Sequence, residues 1–333
     1  MREARFAVRR LFLRMAAATA MAAIGMLAAS LAFSDEQPAV NVVTIIDHQA
    51  LDAFRDGAAE ALKGAGYEPG KTLAWTFQSA QGNSGTVAQI ARKFVGNQPA
   101  AILAISTPAA QAAVAATKQI PVVYGAVTDP VAAQLVKTMG PSGTNVTGVS
   151  DRLEPGKQIE LIRKIVPSVK AVGMIYNPAE ANSKVAVNEM KAALAKEGIE
   201  LVEAAAPRSV DVGQAARRLV GKVDLIYTGT DNNVVAAYEA VAKVGNDAKI
   251  PLVAADTGSI RRGALAVLSV DYRDLGRQAG KQIVRILKGE KPGDLSSETS
   301  ENLVLILNQE AAHKQGVELS EQLKSEASEI LGG

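Results

Sequence analysis

The chain contains no cysteine in 333 residues, which excludes disulfide staples, thiolate nucleophiles and Cys-bound metal at once. Its two histidines, His48 and His313, cannot by themselves build a zinc site, so no cofactor or metal is expected. Aromatic residues are scarce at 4%, too few to line a sugar site with stacked rings and also fill a core. Neither sign of charge dominates. Lys and Arg number 36 against 34 Asp and Glu, a net of +2, so the basic face that a nucleic-acid partner needs is not expected. The one acid–base pair in sequence, Asp47-His48, has no nucleophile elbow with it, and an enzyme is not expected. What remains is 48% hydrophobic, enough chain for two ordinary cores.

Five arginines, Arg2, Arg5, Arg9, Arg10 and Arg14, precede an almost wholly apolar run over 15–33, the make-up of an export leader. Small residues at Ala32 and Ser34 place cleavage near Asp35, with Ser30 and Ala32 as the competing pair. The alternative is an uncleaved anchor, since the run approaches the ~20 residues that span a bilayer. The absence of a following cysteine argues against a lipoprotein, and Arg9-Arg10 leaves both the general and the twin-arginine export routes open. The expected location is periplasmic, with the leader removed.

Beyond the leader the chain repeats itself. VVTIID ending at Asp47 and VGMIYN ending at Asn177 stand 130 residues apart, as do Pro121 and Pro251, and ILAIST ending at Thr107 matches LIYTGT ending at Thr230. Apolar β-branched runs alternate with Ala-rich amphipathic stretches, the pattern of parallel strands and covering helices. The expected fold is α/β, with two similar doubly wound lobes joined by hinge crossovers. The leader occupies 1–34. The first lobe takes 35–150 with 271–292 returning to it, and the second takes 151–270 with 300–330 returning to it. The Gly/Pro/Ser stretch 140–148 reads as a loop leading to the crossover. The run 233–244 reads as one helix, and a polar helix closes the chain.

Ligands of parallel sheets bind beyond the C-terminal strand ends, where helix N-termini present free N–H groups. Polar residues gather at those positions. In the first lobe they are Asp47, His48, Ser106, Thr107, Thr128 and Asp129, with Pro108 and Pro130 set to open helices. In the second they are Tyr176, Asn177, Asn182, Ser183, Thr230, Asp231, Asn232 and Asp256. Any one of these can simply cap a helix; their recurrence points to a pocket between the lobes. Hydroxyls and amides suit a ligand carboxylate and the acids suit an ammonium. Asp231 reads equally as a cap, whereas Asp256, with no obvious helix after it, favours a ligand role. Tyr176 is the expected aromatic contact, and Trp75 and Phe77 are expected in the core.

Eleven short motifs in order then resemble one family. They are DHQALD (47–52), AQGN (80–83), ISTPAAQAA (105–113), AVTDPV (126–131), NVTGVSD (145–151), YNPAEANS (176–183), TDNNVV (230–235), AADTGSI (254–260), GALA (263–266), DYRDLGRQAG (271–280) and ILKGEKPGD (286–294). Together they are similar to the tryptophan/tyrosine-type ABC transporter substrate-binding proteins. The resemblance implies a type I periplasmic-binding fold of two Rossmann-like lobes, an amino-acid ligand, often aromatic, and an ABC permease and ATPase as partners. It carries ligand contact to Thr107, Thr128, Asn182, Ser183, Asp231 and Asp256. At Asp47 the family pattern more often has Glu. The expected protein is a monomer that closes over one zwitterion by hinge motion. A periplasmic sensor docking on a receptor, or an importer component for another small organic acid, would use the same cleft. A sugar-responsive repressor would need a helix-turn-helix in place of the leader.

Overall fold

A computed structural model describes residues 37–300 and 302–332. The expected leader, its cleavage site and the export route lie outside the described residues. Among those residues no helix is long and apolar enough to cross a membrane.

The first strand, β1 (Ala39–Thr44), is buried from Val40 onward, as its apolar run requires. It leads into α1 (Gln49–Gly64), whose Leu51, Phe54, Ala58 and Leu62 recur every three or four residues and are all buried. Then come β2 (Ala74–Ser79), α2 (Ser84–Gly96), β3 (Ala101–Ile105), α3 (Thr107–Ala116) and β4 (Val122–Gly125). The stretch expected as a loop over 140–148 instead runs into a strand, β5 (Val146–Ser150). Gly148 is there for close approach and not for a turn: a Cβ on it would stand 2.2 Å from the Tyr124 carbonyl oxygen.

The second half repeats the plan with α4 (Pro155–Ile165), β6 (Ala171–Tyr176), α5 (Ala181–Lys196), β7 (Glu200–Ala205), α6 (Val212–Leu219) and β8 (Leu225–Thr228). The helix expected over 233–244 is two, α7 (Asn232–Ala236) and α8 (Tyr238–Ala248), broken at Ala237. After β9 (Leu252–Ala254) and β10 (Ala266–Val270) come α9 (Tyr272–Leu287), β11 (Glu298–Thr299) and β12 (Leu303–Asn308). The chain ends in two short helices, α10 (Gln309–Lys314) and α11 (Glu321–Glu326), and a last strand β13 (Glu329–Leu331).

The strands form two sheets, ordered β2-β1-β3-β4-β5-β11 and β7-β6-β8-β9-β10-β12-β13. The first five positions of each follow the same winding, so the sequence repeat is a repeat of topology. All pairings are parallel except β10 with β12. Each sheet is covered on both faces: in the first, Val42, Phe54 and Leu275 pack on one side and Val43, Phe94 and Tyr124 on the other. The chain passes between sheets after β5, between β10 and α9, and between β11 and β12. The second passage returns α9 to lie against α1 at unusually close range. A Cβ on Gly57 would meet the Arg273 carbonyl oxygen at 2.1 Å, and one on Gly276 would meet that of Phe54 at 2.0 Å, so both positions need glycine.

Candidate functional site

The strand ends of the two sheets face each other across one cleft, and the lobes touch there: the Thr128 and Thr230 hydroxyls are 3.3 Å apart. On the first lobe, Ser106 follows β3 with φ 94° and ψ 153°, a backbone region that side-chain-bearing residues rarely adopt. The bend buries Ser106 and Thr107 at the N-terminus of α3, each 1% exposed. Neither hydroxyl has a hydrogen-bond partner. Ala126, after β4, is also left-handed at φ 51° and carries the chain to Thr128. Asp129 caps the following turn, its Oδ1 accepting from the Val131 and Ala132 amides at 3.0 and 2.9 Å, while Oδ2 pairs with Arg152 at 2.9 Å.

On the second lobe the polar groups satisfy one another. Asp231 caps α7, with Oδ1 accepting from the Val234 amide at 3.0 Å. Its Oδ2 accepts from the Asn177 amide and from the Ser183 hydroxyl, both at 2.6 Å. Beside it Glu180 accepts from Asn177 Nδ2 at 3.3 Å and from Asn232 Nδ2 at 2.6 Å. Burial, together with the negative charge of Asp231, pushes the Glu180 carboxyl up to about 7. Asn182 spends its Nδ2 on Ser183 Oγ at 3.4 Å and on the Thr230 carbonyl at 3.5 Å, leaving its Oδ1 without a partner.

Between the rims lies a small enclosed cavity bordered by His48, Asp151 and Tyr272 on one side and by Asn182, Asn232 and Asp256 on the other. His48 caps α1 through Nδ1, and burial with the nearby Arg262 charge holds its imidazole down at about 4, so it is neutral at physiological pH. Asp256 is 1% exposed, with Oδ1 and Oδ2 accepting from the Ser259 amide and hydroxyl at 3.0 and 2.6 Å. Asp151 directly follows β5 and is 3% exposed. Its Oδ2 accepts from the Tyr272 hydroxyl at 2.8 Å, and its Oδ1 has no hydrogen bond of normal geometry. Burial raises the Asp151 carboxyl above its ordinary range, against the pull of the Tyr272 and Thr128 hydroxyls. No cationic side chain pairs with Asp151 among the described residues. A buried carboxylate in that condition is a ready acceptor for a ligand's ammonium.

Of the residues expected at the site, the structure brings His48, Asn182, Thr230, Asn232 and Asp256 to this cavity, with Thr128 on its neighbour. Asp47 is not among them: it is exposed, and its Oδ2 accepts from Gln81 Nε2 at 2.6 Å. Tyr176 also turns elsewhere, its hydroxyl donating to Glu203 at 3.0 Å at the sheet edge. The absence of a helix after Asp256 is corrected too, because a 3-10 turn, Thr257–Arg262, begins directly and Asp256 caps it. Sequence reasoning passed over Asp151, Tyr272 and Glu180. Asp151 obeys the strand-end rule that finds the others, but the Gly/Pro/Ser stretch 140–148 before it disguises β5 as a loop. Among the described residues no group of three or more potential metal ligands occurs.

Comparison with known proteins bears on this geometry. Residues 39–331 match the family described as ABC transporter substrate binding protein. A tyrosine-binding protein of Clostridioides difficile (strain R20291) is 40% identical over 277 residues, spanning 83% of this chain and 80% of the relative. The structure of an ABC domain in complex with L-Trp from Streptococcus pneumonia is 32% identical, with a TM-score of 0.85 over 89% of this chain and 100% of that one. A ligand-free, open substrate binding protein with adhesive properties from Clostridium difficile is 38% identical over the same shares, yet its TM-score is only 0.67. The described chain superposes better on the L-Trp complex than on the open protein, although the open protein is the more similar in sequence. Two doubly wound lobes meeting in a polar cleft thus form a type I periplasmic-binding fold, and this chain belongs to the ABC transporter substrate-binding proteins, an extracytoplasmic and in general non-enzymatic family.

Proposed function

We propose that this protein is the periplasmic, monomeric capture component of an ABC importer, exported with removal of 1–34, and that it delivers an aromatic amino acid to a permease and its ATPase. The observation that carries the reading is Asp151: a buried carboxylate with one unsatisfied oxygen, facing Asp256 across the inter-lobe cavity. The two acids take the ammonium. The unpartnered Ser106 and Thr107 hydroxyls, the N-terminus of α3 and Thr128 take the carboxylate. Asp231, Glu180, Asn177 and Ser183 hold the second rim in shape without needing to touch the ligand. The aromatic class rests on the relatives, one named for tyrosine and one solved with L-Trp.

Both lobes supply ligand groups, so the full set is assembled only when they meet, and closure is coupled to capture. The test is calorimetry of the chain from Asp35 with tyrosine, tryptophan and phenylalanine, each against its analogue lacking the α-amino group. Binding of the amino acids with at least ~100-fold weaker binding of the desamino acids is expected, since the analogue leaves Asp151 unpaired. Equal binding of the desamino acids, or binding of sugars alone, overturns the reading.

A further inference from the structure

A second chamber adjoins the first and shares Asp151 and Thr230 with it. Its character is different. Leu153, Pro155, Ala186, Met190 and Tyr227 give it apolar walls, and Gln158 sets one polar side chain among them. Gln158 lies in the first turns of α4 and is 1% exposed. Its Nε2 donates to the Leu268 carbonyl at 2.9 Å, and this fixes the amide's orientation, because only the NH2 end can donate to a carbonyl. The other end, Oε1, is therefore committed as an acceptor, and it is buried without a partner. A buried amide oxygen left unmet is costly, and it is uncommon in a wall otherwise built for apolar contact.

Taken with the proposed function, on which this step rests, the arrangement sorts the ligand's parts. An ammonium on Asp151 puts the α-carbon at the junction of the chambers and sends the side chain towards the apolar one, a space of about 30 Å³ that must widen to admit a ring. Met190 and the Tyr227 ring suit an aromatic face there. We infer that Gln158 selects an aromatic side chain bearing a hydrogen-bond donor on its ring, a phenol O–H or an indole N–H, over a plain phenyl ring. Of the chamber's other polar groups, Thr128, Asp151 and Thr230 lie towards the junction with the first chamber, and Glu189 is drawn through Oε1 to Arg152.

The deciding comparison uses ligands on the unmodified protein: tyrosine against 4-fluorophenylalanine and phenylalanine, and tryptophan against 1-methyltryptophan, by competition calorimetry. The donor-bearing member of each pair is expected to bind at least roughly tenfold tighter, the scale of one buried hydrogen bond made or missed. Gln158→Met, which keeps length and removes the acceptor, is expected to bring tyrosine and 4-fluorophenylalanine within about twofold, mainly by weakening tyrosine. Tyrosine and 4-fluorophenylalanine binding equally to the unmodified protein overturns the selection by Gln158 while leaving aromatic capture standing; a ratio unchanged in Gln158→Met does the same. Binding of no aromatic amino acid at all overturns both. If Gln158→Met does not fold, the ligand pairs alone decide.

Discussion

The two rims of the cleft are written with one pattern, a strand end, a polar residue and a helix, yet they end in opposite conditions. On the first rim Ser106 and Thr107 keep buried hydroxyls without partners, and the backbone takes positive φ at Ser106 (94°) and at Ala126 (51°). On the second, Asp231 alone gathers two amides and a hydroxyl, and Glu180 gathers two side-chain amides. The first rim carries strain and unsatisfied valences, features that accumulate where a ligand completes the structure. On the second, the carboxylates are satisfied within the rim and Asn182 Oδ1 is left open. Pattern therefore locates a rim but does not say which of its polar groups are free; only the count of donors and acceptors does.

The comparison is broken most forcefully at Asp231. Asp231→Ala would strand the Val234 and Asn177 amides and the Ser183 hydroxyl inside the protein and remove the cap of α7. Losses of 1–3 kcal/mol for each stranded group, partly recovered by relaxation, suggest roughly 3–5 kcal/mol. Urea unfolding of the ligand-free protein measures this. A loss below about 1 kcal/mol with binding abolished would make Asp231 a ligand group and erase the contrast between the rims.

Asp151 predicts the reverse. Asp151→Asn keeps the shape, removes a buried unpaired charge and leaves the Tyr272 hydroxyl an acceptor, so the melting temperature without ligand should hold or rise. Affinity for tyrosine should fall about 100-fold or more, the cost of an ammonium buried without its partner. Ser106→Gly separates strain from contact on the same rim. It should stabilise the ligand-free protein by roughly 1 kcal/mol, because the ~1–3 kcal/mol released at the bend exceeds the entropy glycine adds to the unfolded chain. It should also weaken binding several-fold through the missing hydroxyl.

Acid separates the rims again. Glu180, at about 7 in the folded protein against 4.5 ordinarily, binds its proton more tightly folded than unfolded. Its contribution to stability therefore grows as pH falls from about 7 towards 4.5 and is lost as pH rises through 7, with a slope of at most about 1.4 kcal/mol per pH unit. His48, held at about 4 against 6.5, works the other way, and stability falls as pH drops between those values. Melting temperatures of the unmodified protein and Glu180→Gln should separate in favour of the variant as pH rises from 4.5 to about 7, and the gap should stay constant above that. Curves that stay parallel between pH 4.5 and 7 would show that Glu180 does not hold a proton near neutrality.

Much of this molecule was legible before its structure. The duplication at Asp47 and Asn177 is the shared winding of the two sheets, and Leu51, Phe54, Ala58 and Leu62 announced α1 by spacing alone. Motifs naming the family were equally plain. What failed did so for local reasons. β5 is short and carries Gly148 for contact with Tyr124, so in sequence a packing glycine looks like a turn glycine and hides the strand that Asp151 follows. Tyr176 ends its strand on schedule, but which way a strand-end side chain turns depends on a neighbour from another strand, here Glu203. Glu180 precedes α5 as a cap would, yet its side chain makes no cap bond and instead reaches Asn232, 52 residues away. Long-range polar pairing of that kind has no periodicity to read.

The smallest expected effect joins the rims instead of dividing them. Arg152, in the crossover after β5, holds Asp129 of the first lobe at 2.9 Å and reaches Glu189 on α5 of the second with its other nitrogen. Only one arrangement of the lobes lets a single guanidinium span both acids, so the bridge acts on the closed form alone and slows its opening. The side chain is 43% exposed, which limits each pair to about 0.2–1 kcal/mol. Arg152→Gln should accordingly weaken tyrosine binding about twofold to fivefold at 50 mM salt, almost wholly through a faster off-rate in stopped-flow. In ~1 M salt, where the screening length shrinks to about 3 Å, variant and unmodified protein should converge. A loss above about tenfold that ignores salt would mean that Arg152 meets the ligand itself, and that the cleft's mouth as well as its two rims belongs to the binding site.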